Sequence, residues 1–144
     1  MTRAHPGFAP GPWVESQPLA DQIVIRVPAS TPHIGLVRAT AGALAALLDF
    51  TYDRITDLHI AIDEACSRIM ATSDPAPGRL EVVFTVEEQA LGVSASGDAP
   101  LKPGATLLNV WSETILRSVT DELDVREASG RARLTFRLRR SGPS

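Results

Sequence analysis

A chain of 144 residues, 44% apolar and 22% charged, suits one compact domain that buries roughly two thirds of the surface its unfolded form exposes; two full domains are excluded. Its 14 basic and 17 acidic residues leave a formal charge of -3, so no global positive field gathers phosphate backbones and direct nucleic acid binding is not expected. The single cysteine, Cys66, excludes an internal disulfide and fits a reducing, cytoplasmic setting.

Residues 1–21 contain Pro6, Gly7, Pro10, Gly11, Pro12 and Pro18 and read as a flexible arm, because prolines remove donors and little apolar area offsets the cost of ordering. The arm lacks the apolar run of a secretion signal, and no segment approaches the ~18 apolar residues of a membrane span. A soluble domain is expected over 22–140, with a short tail at 141–144. Ile23, Ile25 and Val27 alternate with polar residues and predict a half-buried strand ended by Pro28. Thr31 and Pro32 open a helix carrying Ile34, Val37, Ala41, Leu44 and Leu48 to about Asp49, and Thr51 caps a second carrying Ile55, Leu58, Ile62, Ala65 and Ile69 to about Ser73.

A hairpin follows, with Leu80, Val82, Phe84 and Val86 on one arm, a turn at Glu87 to Gln89, and Leu91, Val93 and Ala95 on the other. Residues 96–106 read as a loop. Leu108, Trp111, Ile115, Val119 and Leu123 predict a third helix, and a last hairpin turns at Ser129 and Gly130 between Val125 and the series Ala132, Leu134, Phe136, Leu138. The order βααββαββ fits an α+β two-layer sandwich, an antiparallel or mixed sheet with helices packed on one face.

The densest chemistry lies at Asp57 to Arg68 on the second helix. His59 and Asp63 stand one turn apart, but two ligands without a third make a poor metal site. Glu64 and Arg68 have the favourable acid-first spacing of an exposed ion pair. The run Asp63-Glu64-Ala65-Cys66-Ser67-Arg68-Ile69, followed by Ser94-Ala95-Ser96-Gly97-Asp98 and then Asp121-Glu122-Leu123 at the end of the third helix, resembles three motifs of the GHKL (Bergerat-fold) ATPases. The closest likeness is to the anti-sigma factors of the RsbW and SpoIIAB type, which are serine protein kinases.

That resemblance implies a histidine-kinase-like ATPase domain over nearly the whole of 22–140 and ATP with Mg²⁺ as cofactor. It makes Glu64 the catalytic residue, with Arg68 and Gly97 at the nucleotide site. The departures argue that no cofactor is required. Arg68 stands where the family has a magnesium-holding asparagine and offers donors only. Ala95 replaces the aspartate that accepts the adenine amino group, and Leu107 to Ser112 lacks the lid glycines. Phosphoryl transfer needs metal, base and positioned phosphates together, so ATP turnover is expected to be weak or lost.

The same resemblance places Arg38, on the first helix, at an arginine that contacts the sigma factor and the competing anti-anti-sigma protein of STAS type. It implies a homodimer that sequesters a sigma factor by binding and is released by that antagonist. An active kinase that phosphorylates the antagonist is the alternative, and a regulator of some other protein on the same scaffold is a third reading. Arg131, Arg133, Arg137 and Arg139 share one side of the last strand; on a terminal strand this reads first as protection against edge pairing, with an acidic partner or DNA as rivals. Cys66 reads as a buried packing residue, and a redox switch as the rival.

Overall fold

The structure, a computed structural model, describes residues 21–141; residues 1–20, and with them Trp13, lie outside the described residues. Five strands and three helices follow in the expected order: β1 (Asp21–Pro28), α1 (Thr31–Leu47), α2 (Tyr52–Thr72), β2 (Arg79–Val86), β3 (Ala90–Gly97), α3 (Val110–Val119), β4 (Glu122–Ala128) and β5 (Arg131–Arg139). The strands form one sheet in the order β1-β2-β3-β5-β4, and every pairing is antiparallel. All three helices pack on one face of it, the predicted two-layer α+β sandwich.

Alternation decides the faces. Leu80, Val82 and Phe84 of β2, Leu91, Val93 and Ala95 of β3, and Leu134, Phe136 and Leu138 of β5 point at the helices and are buried. From the helices, Ile34, Val37, Ala41 and Leu44 of α1 and Leu58, Ile62, Ala65 and Ile69 of α2 meet them, and each large side chain so buried contributes roughly 1.5–3 kcal/mol.

Local chemistry sets the boundaries. The Thr51 hydroxyl accepts the Arg54 N–H at 3.3 Å, the expected cap of α2. At the last hairpin Ser129 and Gly130 have φ of 56° and 75°, the paired positive values of a two-residue turn matched to strand twist.

Several boundaries differ from the sequence reading. Asp21 already belongs to β1, one residue before the expected start of the domain. Helix α1 stops at Leu47 rather than Asp49, which sits at φ 58° just beyond it. Ser96 and Gly97 complete β3 instead of opening the loop. The third helix is shorter and rotated: Asn109 and Ser112 cap each other at its start, and Thr120 is extended at its end. Its buried positions are Ser112, Leu116 and Val119, while Trp111 faces solvent at 76% exposure. Leu123 packs from β4.

Candidate functional site

The C-terminal half of α2 carries Glu64 and Arg68, four residues apart, but they form no ion pair. The Arg68 guanidinium instead donates from Nε to the Leu107 carbonyl at 2.7 Å and from Nη2 to the Thr106 carbonyl at 3.1 Å. Loop carbonyls lacking a ladder partner need donors when they are drawn against a core, and Leu107 is fully buried there. That need outweighs an exposed helical pair contributing a few tenths of a kcal/mol. Glu64 is left half-buried, with no ion pair among the described residues.

The same loop is tied down at its other end. The Lys102 N–H donates to the Thr72 carbonyl at 2.8 Å, Leu101 N–H to Gly130 at 2.8 Å, and Asp74 N–H to Pro100 at 3.0 Å. Residues 100–107 are therefore fastened to the end of α2 and to the last hairpin.

The residues before it, at the end of β3, are closely packed. Ala95 faces the core at 1% exposure and presents no side-chain acceptor. Gly97 is a close-approach position: a Cβ there would lie 3.0 Å from Ile69 Cγ2 and 3.2 Å from Pro77 Cβ, so strand and helix already fill the space. Asp98 accepts the backbone N–H groups of Gly78 at 2.8 Å and Arg79 at 3.1 Å. The Arg79 N–H chiefly, and Arg131 in support, hold its carboxyl below the usual range against opposing desolvation. It fastens the start of β2 to the end of β3. Among the described residues no three His, Cys, Asp or Glu side chains converge to hold a metal ion, and a guanidinium at the magnesium-holding position supplies no oxygen.

Arg38 stands apart from these, on α1. Its Nη1 donates to both carboxylate oxygens of Asp63 on α2, at 2.9 and 2.8 Å, and both side chains remain nearly half exposed. The sequence reading placed Asp63 with His59; the structure gives it to Arg38. His59 packs its Nε2 where a Cβ on Gly42 would lie 3.1 Å away, and that nitrogen is buried with no hydrogen-bond partner among the described residues. It belongs to the α1/α2 contact.

Cys66 is buried as expected; desolvation, reinforced by the Asp63 charge, pushes its thiol up to about 12, so almost no reactive thiolate forms at neutral pH.

One cluster was missed in the sequence. Arg54, only 6% exposed, donates to Asp57 at 2.9 Å, to Asp121 at 2.7 Å and to the Arg139 carbonyl at 3.1 Å. Asp121 also accepts the Arg139 N–H at 2.8 Å and its guanidinium at 3.2 Å. Burial raises the Asp121 carboxyl, but the Arg139 N–H and the two guanidiniums outweigh it and leave the group below its ordinary value. The Asp121-Glu122-Leu123 motif therefore lies past the third helix, not in it, and ties the β4 start to α2. The signal available was slight: Arg54 lies one turn before Leu58 on the apolar side of α2.

No family model matches the chain. It is similar to the serine-protein kinase RsbW of Bacillus velezensis, 39% identical over 75 residues, a match covering 51% of this chain and 47% of that protein. RsbW of Bacillus subtilis is 37% identical over 76 residues, covering 51% and 48%. These matches span about half the length of the relatives. RsbW of Halalkalibacterium halodurans matches more widely, 27% identical over 132 residues and covering 76% and 78%. Among solved structures, the RsbU and RsbW domains of a Mycobacterium tuberculosis protein share the fold with a TM-score of 0.65 at 14% identity, covering 86% of this chain and 34% of that one.

Proposed function

We propose, from its similarity to the RsbW serine-protein kinases, that the chain is an anti-sigma factor whose nucleotide chemistry has been lost. On this reading it sequesters a sigma factor as a homodimer and yields it to a competing anti-anti-sigma protein. The observation that carries the loss is the Arg68 clasp: the side chain at the magnesium-holding position spends its donors on the Thr106 and Leu107 carbonyls. With metal, adenine acceptor and lid freedom all altered, affinity has to come from the protein surface.

Arg38 is the proposed anchor. Its ion pair with Asp63 is shallow enough to be exchanged for a partner carboxylate, since such exposed pairs contribute only about 0.2–1 kcal/mol. Ile60, one turn before Asp63, adds exposed apolar surface beside it. Arginines of this kind dominate many interfaces. Affinity purification of the tagged chain from its own cells should recover a sigma factor, and Arg38→Glu should weaken that complex by about 2 kcal/mol or more while lowering the unfolding midpoint only slightly. Recovery of no transcription subunit would sink the reading.

The alternative, an active serine kinase, is favoured by one feature: Arg68 bonds to the Leu107 and Thr106 carbonyls and does not tie up Glu64. Radiolabel transfer from ATP to the antagonist, abolished by Glu64→Gln, would establish it.

A further inference from the structure

β5 lies between β3 and β4, so its outward arginines do not guard an edge: Arg137 pairs with Glu87 and Glu122, and Arg139 with Asp121. Around Arg137 the outward face has a different character. Register sets Gln22, Thr85, Gly92, Arg137 and Glu122 in one row across all five strands, and Val24, Val83, Ser94, Thr135 and Asp124 in the next. The residues at the centre of both rows are small or β-branched. Between them lies a cleft of about 260 Å³ whose lining includes Val83, Thr85, Gly92, Ser94, Thr135 and Arg137.

Part of this face is buried although no helix covers it. The three helices pack on the other side of the sheet, yet Val83 and Ser94 are only 5% and 6% exposed. The side-chain amide nitrogen of Gln22 is buried with no hydrogen-bond partner among the described residues, and a buried donor needs an acceptor. Gly92 keeps the floor of the cleft open, since a Cβ there would make ordinary contact, 3.4 Å from Thr85 Cβ. A glycine inside a strand marks a place where another group approaches closely, and an aromatic ring laid over it restores the missing packing.

We infer that residues 1–20 of this chain fold back across the outer face, with the Trp13 indole in the cleft over Gly92. The chain enters β1 at Asp21, whose register partner Val86 ends β2, so the preceding residues start at the sheet edge beside the Gln22 row. Gly92 lies two strands in, about 10 Å away, and the eight residues from Trp13 to Ala20 span up to roughly 26 Å. Backbone carbonyls of that segment supply an acceptor for Gln22. Arg137, held by Glu87 and Glu122 at the rim, presents a fixed guanidinium plane on which the indole stacks. The cover shields the apolar surface of Val24 and Val83, which a bare sheet face would offer to other chains. The inference uses neither Arg38 nor Arg68 and stands or falls separately from the anti-sigma reading.

The test is acrylamide quenching of Trp13 fluorescence in the full chain. The sequence has two tryptophans, and Trp111 is 76% exposed, so Trp111→Phe leaves Trp13 as the sole reporter without disturbing the core. In that background the native emission should be blue-shifted and quenched several-fold more weakly than in urea. Two substitutions on the face should each raise quenching to the unfolded level: Gly92→Thr, which fills the floor with a residue suited to a strand, and Thr135→Lys, which sets a charge beside Asp124 across the cleft. Circular dichroism confirms that each variant keeps its fold. Native quenching as efficient as in urea, or protection retained in either folded variant, would overturn the inference. Protection lost on dilution would also overturn it, because the occupant would then be a second copy of the chain.

Discussion

The two ends of α2 carry the same residue type to opposite effect. Near the start, Arg54 is sealed from solvent and meets two carboxylates and a carbonyl. Fourteen positions on, Arg68 meets two carbonyls and no carboxylate. A buried guanidinium between two counter-charges and a strand carbonyl is structural, since it ties α2 to β5 and to the residue before β4. A guanidinium held by carbonyl dipoles alone fastens a loop, here residues 106 and 107 to the C-terminal half of α2.

That contrast breaks most visibly at Arg54. Arg54→Ala removes the buried guanidinium shared by Asp121 and Asp57, leaving Asp121 only its Arg139 contacts, and should cost about 3–5 kcal/mol, read from denaturant midpoints. The Asp121 carboxyl is depressed in the folded state, so its stabilisation is present above the ordinary carboxylate value and is lost as pH falls through the folded one. Wild-type stability should therefore drop in acid, below about pH 4, more steeply than that of Asp121→Asn.

Smaller effects sharpen the other end. Gly97→Val forces branched atoms into Ile69 and Pro77 and should destabilise by about 1–3 kcal/mol. Arg68→Asn withdraws the donors from Thr106 and Leu107 and should cost about 1–3 kcal/mol, with hydrogen exchange accelerated over residues 101–108 and unchanged in β5. The Arg38–Asp63 pair should matter least to folding, about 0.2–1 kcal/mol for Arg38→Ala, so a loss of partner binding in that variant cannot be assigned to unfolding. A thiol reagent should leave native Cys66 unmodified at neutral pH and label it only after unfolding.

The fold was legible because its signals are local. Alternation in 80–86 and 91–95, the Thr51 cap and the Ser129-Gly130 turn each act within a few residues. The third helix failed where two periodicities overlapped: Leu123 continues a helical spacing from Val119 while also starting the strand pattern with Val125. The site was legible only as motifs. Arg68 has its partners 38 and 39 positions away and Arg54 its partners 67 and 85 away, and no spacing rule reaches so far. Sheet order had the same effect on the β5 arginines, whose strand is last in sequence but interior in space.

Calorimetric titration of the chain with ATP and Mg²⁺, repeated with Arg68→Asn, addresses the central proposal most directly. The result expected is no saturable heat from the wild type at nucleotide concentrations that fill a competent kinase. A one-to-one isotherm with micromolar affinity and dependence on the cation would contradict it, because the clasp at Thr106 and Leu107 and a bound metal–triphosphate cannot use the same side chain at once.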